Sequence, residues 1–281
     1  MSARLPEIDA RAARRRFDRA ARGYARAAQL EAEVGERMLE RLDYVKIAPR
    51  FILDAGSGPA REARALRKRY RDARIVALDF SLPLLPRHDF LDRLLGRAVS
   101  RPLCADLLKL PIGAAAVDLV WSNMALHWIA EPLEALREFH RVLAPEGLLM
   151  FTTLGPDTLK ELRAAAGEAR VHRFLDMHDL GDRLVAAGFS APVVDMEMMT
   201  LTYPGPEAFL RELRAAARTS ARADRSRGLS GRAFGARLRA ALAAQAGAGR
   251  LAATFEVVYG HAWKGAPKET TKTISVFKRN S

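Results

Sequence analysis

Apolar positions along this chain follow two alternating rhythms, short unbroken runs and longer stretches in which they return every third or fourth residue. The first rhythm predicts buried strands and the second amphipathic helices. Unbroken runs occur at Phe51–Asp54, Arg74–Asp79, Ala98–Cys104, Ala116–Ser122 and Leu148–Thr153. Between them, helical spacing predicts Pro59–Tyr70, Ser81–Leu95 and Glu131–Leu143. Pro59 suits an opening turn, where its missing N–H would have no partner. In Glu131–Leu143 the residues Leu133, Leu136, Phe139 and Leu143 share a face, and Pro145-Glu146-Gly147 stops the helix. Ile8–Tyr24 and Arg26–Leu42 read as helices ahead of the first strand, and Pro156–Ala169 and His178–Ala187 as helices behind the fifth. Pro192–Thr202 and Ala253–Trp263 read as late strands; in the second, Phe255, Val257, Tyr259, His261 and Trp263 alternate onto one side.

Strands that alternate with helices pair in parallel through right-handed crossovers. The expected fold is therefore α/β, a doubly wound, mostly parallel, seven-stranded Rossmann-like sheet with N-terminal helices and a late helical insert. The expected organisation is a helical cap over 1–46, a nucleoside-binding domain made of 47–204 and 251–265, a basic insert over 205–250 broken near Ser226–Gly231, and a tail over 266–281. Within the tail, Thr273–Phe277 suits a short edge strand or a disordered end. Ligands of such sheets bind beyond the carboxyl ends of the strands, near the point where strand order reverses.

Composition narrows the class. With 281 residues and a 49% apolar share the chain can bury one substantial core. No run reaches the roughly 18 uncharged apolar residues of a membrane span, and Met1–Arg26 lacks the apolar centre of a signal peptide, so a cytoplasmic location is expected. Cys104 is the only cysteine, which excludes an internal disulfide and a multi-cysteine zinc site; paired-histidine metal motifs are absent, and no metal is expected. The net charge of +13 favours an acidic partner. Ten arginines fall between Ala208 and Arg250 against only Glu212 and Asp224. Arg211, Arg214, Arg218, Arg222 and Arg225 recur at three and four residues, so a continuous helix would carry them as one docking stripe.

The candidate chemistry sits where the first strand ends. Asp54-Ala55-Gly56-Ser57-Gly58 is a glycine turn that lets a ligand approach the backbone, and Asp79, 21 residues beyond Gly58, stands where an acid accepts ribose hydroxyls. The third glycine of a dinucleotide fingerprint is replaced by Arg61, preceded by Pro59 and Ala60, and Asp54 places an anion ahead of the turn. Crowding and like charge thus disfavour a pyrophosphate. S-adenosylmethionine carries an ammonium and a sulfonium but no phosphate, and it suits this turn better. Phe80 follows the ribose acid, and Asp106-Leu107 follows the third strand, where a carboxylate and backbone can hold an adenine amino group. Asn123 ends the fourth strand, and His127 and Trp128 follow on the same loop, where an imidazole can orient an acceptor or act as a base. Tyr24 suits either a pocket-closing or a core position. The Asn/Asp-Pro-Pro-aromatic turn of base and amide nitrogen methylation is absent, as is a cysteine nucleophile.

Phe17-Asp18-Arg19-Ala20-Ala21-Arg22-Gly23-Tyr24, the Asp54–Gly58 turn, Trp121–Trp128, Phe151–Leu162 and Val257–Trp263 together resemble the BioC family, the malonyl-acyl-carrier-protein O-methyltransferases of biotin synthesis, within the class I methyltransferases. The resemblance implies methyl transfer from S-adenosylmethionine to the free carboxylate of a malonyl thioester on an acidic carrier protein, with neither nucleic acid nor membrane as partner. It implies that Asp54, Gly56, Gly58, Asp79 and Asp106 hold the cofactor and that Tyr24, His127 and Trp128 shape the acceptor side. It also gives the arginine stripe a partner. One departure is Pro59-Ala60 where the family has a small pair such as Thr-Gly; proline removes a donor and alanine adds a methyl where the methionine end should pass. A mitochondrial relative that modifies arginine and assembles respiratory complex I shares much of the later sequence. Three alternatives stay open: protein-arginine methylation, for which the loop after Asn123 offers only Glu131; RNA modification; and a non-catalytic scaffold.

Overall fold

The computed structural model describes residues 7–87, 98–225, 228 and 231–266. Its sheet has seven strands: β1 (Phe51–Ala55), β2 (Arg74–Asp79), β3 (Arg101–Cys104), β4 (Val117–Ser122), β5 (Leu143–Leu154), β6 (Ser190–Tyr203) and β7 (Leu251–Trp263). The order is β3-β2-β1-β4-β5-β7-β6. Strands β1 to β5 run parallel, and β7 inserts antiparallel between β5 and β6. Strand order reverses between β1 and β4, so the carboxyl ends of β1, β2 and β4 flank the cleft at which such sheets bind ligands.

Alternation along the strands builds a core on each face. Ile52, Leu119, Leu148 and Trp121 pack toward α2 (Gln29–Arg41), α3 (Ala63–Arg69) and α7 (Pro206–Ala215) through Leu30, Val34, Leu66 and Phe209. Leu53, Val120 and Leu149 pack on the other face against Leu136, Phe139 and Val142 of α4 (Leu133–Val142) and Leu184 of α6 (Met177–Ala186). Trp121, Phe139 and Phe151 are fully buried, each contributing about 1.5–3 kcal/mol of transfer from water. Among the described residues the remaining α-helices are α1 (Ala10–Ala27), α5 (Lys160–Ala166) and α8 (Arg232–Ala243).

Several boundaries differ from the sequence reading. The first crossover helix starts at Ala63 rather than Pro59, because residues 57–60 close a turn in which the Ala60 N–H donates to the Ser57 carbonyl. The third strand is Arg101–Cys104 only, and α5 spans Lys160–Ala166 inside the longer expected helix, entered through Leu159 at φ 56°. Residues 81–87 form no helix; the rest of the stretch to Leu95, and the Thr273–Phe277 segment, lie outside the described residues.

The arginine stripe does not form. Helix α7 ends at Ala215, so Arg218, Arg222 and Arg225 leave the helical face that carries Arg211 and Arg214. All three turn inward. Arg218 pairs with Glu31 and Glu212, Arg222 with Asp224 and the carbonyls of Glu168 and Val171, and Arg225 with Asp9. Their segment fastens α1 instead: the Asp9 N–H donates to Ala221 at 2.8 Å, the Ala223 N–H donates to Glu7 at 2.8 Å, and Arg16 Nε donates to Thr219 Oγ1 at 2.8 Å. Among the described residues no helix is long and apolar enough to cross a membrane.

Candidate active site

A cavity of about 460 Å³ opens beyond the carboxyl ends of β1, β2 and β4, beneath α1. That volume suits a ligand of nucleoside size. The turn after β1 forms its floor. Gly56 has φ +78° and a Cβ built there would lie 2.3 Å from Ala125 Cβ, so only glycine fits. The N–H groups of Gly56 and Ser57 both donate to the Leu78 carbonyl, at 2.8 and 2.9 Å, and so lock the turn to the end of β2.

Two strand-end acids face this cavity in different states of use. Asp79 accepts from the Gly58 N–H at 2.9 Å and from the Ser81 N–H at 2.8 Å, which fixes its carboxylate. Burial pushes its pKa up to about 6 against the pull of those two donors. Asp54 is buried, and its Oδ2 has no hydrogen-bond partner. Burial raises its pKa well above the usual carboxylate range, and the neighbouring charges of Glu62 and Asp79 add to the shift. A buried, unpartnered carboxylate oxygen is costly, and a cationic ligand group would relieve it.

The rest of the wall is held by polar clamps and aromatic rings. Asn123 Nδ2 donates to the Glu31 carbonyl at 2.8 Å and to Glu62 Oε1 at 3.1 Å, while its Oδ1 accepts from Thr152 Oγ1 at 2.7 Å. Asp106 Oδ1 accepts from the Leu108 N–H at 3.0 Å, and Leu107 and Phe80 line the same side. Phe17 sits at the hub of an aromatic cluster, with ring centroids 5.8 Å from Tyr24, 5.5 Å from Phe80 and 4.9 Å from Trp128. Burial lifts the Tyr24 phenol well above its ordinary pKa, so it stays neutral and caps the cavity as a largely apolar surface.

The structure gathers Tyr24, Asp54, Gly56, Ser57, Gly58, Asp79, Phe80, Asp106, Leu107, Asn123 and Trp128 around one cavity. Ala55 and His127 stand apart. Ala55 is fully buried inside the sheet, packed with Leu53 and Leu78. His127 faces a separate recess of about 40 Å³, with His172, Phe174, Arg218 and Phe255, and only Trp128 borders both spaces. Burial, reinforced by His172 and Arg218, drops the His127 pKa to about 3, so it is neutral and off the cavity rather than a base within it. The Pro59-Ala60 departure leaves the floor open. Pro59 lines the cavity edge, whereas Ala60 packs in the core beside Ala63 and Leu66.

Sequence reasoning missed Glu31 and Glu62 as wall residues. Glu62 lies two residues beyond the turn on the approach to α3, and Glu31 opens α2; nothing in the local pattern separates them from solvated helix acids. Both are engaged, Glu31 by Arg218 and Glu62 by Asn123. Among the described residues no cluster of three metal-ligating side chains occurs.

Comparison with known proteins gives the family and the likeness of fold. A methyltransferase domain family matches residues 53–151, from β1 into β5. The malonyl-acyl-carrier-protein O-methyltransferase of Methylovorus sp. strain MP688 is 49% identical over 265 residues, covering 92% of this chain and 90% of the relative. That of Gallionella capsiferriformans strain ES-2 is 45% identical over 279 residues, covering 96% of each. Among solved structures, the YcgJ protein of Bacillus subtilis matches with a TM-score of 0.59 at 13% identity, over 83% of this chain and 99% of that one, a likeness of fold.

Proposed function

This chain belongs to the malonyl-acyl-carrier-protein O-methyltransferase family, and from that premise we propose that it esterifies the free carboxylate of a malonyl thioester on an acyl carrier protein, with S-adenosylmethionine as methyl donor, in biotin synthesis. The observation that carries the reading is the unpartnered Asp54 Oδ2, buried at the head of a glycine turn in a nucleoside-sized cavity. Bound there, S-adenosylmethionine supplies an activated methyl group on a positively charged sulfur. Asp54 is suited to its ammonium, Asp79 to its ribose hydroxyls, and Asp106 with Leu107 to its adenine edge.

The acceptor side needs little proton chemistry. A malonyl carboxylate has a pKa near or below the roughly 4 of a side-chain acid and is ionised at neutral pH. The protein's task is to align and to dry. Phe17, Tyr24 and Trp128 form an apolar wall that excludes water from the reacting oxygen, which strengthens alignment of opposite charges. Arginine methylation is not favoured: Glu31, Glu62 and Glu131 are held by Arg218, Asn123 and Arg183, and so are not free to grip a guanidinium.

The test is incubation of purified protein with methyl-labelled S-adenosylmethionine and, separately, malonyl carrier protein, acetyl carrier protein, a panel of arginine peptides and RNA. Label in the malonyl carrier, released by mild base as methanol, is the expected result. Label in the acetyl carrier, in peptide or in RNA, with none in the malonyl carrier, would overturn it.

A further inference from the structure

Six arginines with no side-chain partner among the described residues lie together on α1. Arg11, Arg14, Arg15, Arg19, Arg22 and Arg26 are all exposed. At about 100° per residue they fall within an arc of roughly 140° on the helix. Ala13, Phe17 and Tyr24, which line the cavity, project from the other side of the same helix. None of the six guanidinium groups makes an ion pair or hydrogen bond among the described residues; the Arg26 carbonyl alone accepts a side-chain donor, Gln29 Nε2 at 2.7 Å. The one acid within α1, Asp18, is turned inward and accepts from Ser81 Oγ at 2.6 Å. The outer face therefore carries positive charge with no paired carboxylate on it among the described residues; the nearest influence is Asp9, which interacts with Arg15 at longer range.

Such a face works against the helix that carries it. Arginines four residues apart repel one another, and Arg11 stands in the first turn, where the helix dipole disfavours a cation. The helix is held from below instead, through Asp9 as its cap and through the 219–225 segment bonded to its first turns. A positive face braced in this way, on the element that roofs the cavity, is placed to receive an anion close to the site of chemistry.

We propose that the outer face of α1 is the docking surface for the acidic carrier protein that delivers the acyl thioester. This rests on the function proposed above. Charge complementarity selects the partner, since carrier proteins are acidic and this face is wholly basic. Geometry agrees. A helix is about 10 Å across, a span that a flexible prosthetic arm can cross to bring its thioester around α1 and into the cavity below. Arg211 and Arg214 belong to a different helix, α7.

The test compares the Arg15→Glu/Arg19→Glu/Arg22→Glu variant with the unaltered protein on two substrates, malonyl carrier protein and the malonyl thioester of N-acetylcysteamine, which has no carrier. The KM for the carrier should rise about ten-fold or more, with kcat held, and should lose its dependence on salt. Activity on the small thioester should stay within about two-fold, which also shows that α1 still roofs the cavity. Arg211→Glu/Arg214→Glu should leave carrier KM unchanged. An unchanged carrier KM in the α1 variant, an equal loss on both substrates, or a rise confined to the α7 variant would each overturn the surface. So would loss of RNA affinity with carrier KM intact, which would make the face a nucleic-acid contact. If the unaltered protein methylates neither substrate, the proposed function fails and takes this surface with it; activity on the small thioester alone leaves that function standing and overturns only the surface.

Discussion

Arg218 and Glu31 are 187 residues apart in sequence, yet they form a two-point ion pair, Nε to Oε1 at 2.9 Å and Nη2 to Oε2, in which each partner faces a different cavity. Glu31 is on the wall of the large cavity and Arg218 is in the recess behind Trp128. The pair joins the cap helix α2 to the segment that fastens α1, so the roof of the cavity is tied together through it.

Removing one partner should be far worse than removing both. With side-chain exposures of 7% for Arg218 and 16% for Glu31, Arg218→Met leaves a buried charge unpaired and should destabilise by about 3–5 kcal/mol. The Arg218→Met/Glu31→Gln double variant should recover part of that loss. Urea unfolding of Arg218→Met, Glu31→Gln and the double variant measures the coupling, and purely additive losses would show that the pair does not act as a unit.

Asp54→Asn should separate stability from binding. The substitution removes a carboxylate whose ionisation is opposed by burial and by Glu62 and Asp79, so the free protein should be as stable as the parent or more so at pH 7. Calorimetry with S-adenosylmethionine should show affinity reduced by at least about ten-fold, the loss expected when a charge-assisted hydrogen bond of roughly 1.5–3 kcal/mol is removed.

Asp79 gives a signed pH dependence. Its folded-state pKa of about 6 lies above the ordinary 3.8, so the folded protein holds the proton more tightly than the unfolded chain. The stabilisation this contributes is fully present below pH 3.8 and is lost as pH rises through about 6. Relative to the parent, Asp79→Asn should therefore gain on the order of 2–3 kcal/mol between pH 4 and pH 7. Denaturant titrations at those two values check it, and a difference that is flat or opposite in sign would contradict the shift.

The two turn glycines should differ in cost. Gly56→Ala combines φ +78° with a contact of 2.3 Å to Ala125, whereas Gly58→Ala has φ +51° and a nearest contact of 3.7 Å to Tyr24. The second should cost about 1–2 kcal/mol, the penalty of the left-handed region alone, and the first clearly more. Thermal unfolding of the two variants ranks them.

His127→Gln should leave the pH–rate profile unchanged between about pH 5.5 and 8. The imidazole, with its pKa near 3, is neutral throughout that range and faces the recess rather than the cavity. A profile that loses an ionisation in the variant would restore His127 as a base.

Much of the candidate site was readable along the chain. Asp54, the glycine turn and Asp79 lie on consecutive parallel strands, so their placement follows from local periodicity and the fixed hand of the crossover. The arginine stripe and His127 were not readable in this way. Helical spacing carries meaning only while the helix lasts, and α7 stops at Ala215, beyond which residues 218–225 bond to α1, its cap and α2 instead. His127 follows the strand by the expected spacing, but the short 3-10 turn at Leu126–Trp128 leaves Trp128 between the cavity and the recess and puts His127 on the recess alone.

From the amino-acid order alone came the sheet, the acid-tipped strands and the family resemblance, because these depend on backbone propensity and on residues close in sequence. Tertiary structure alone decided which arginines are consumed in internal pairs and which remain free on α1. That choice is made by contacts between segments some 200 residues apart, where the energy of burying a charge against its partner outweighs any preference written in local spacing.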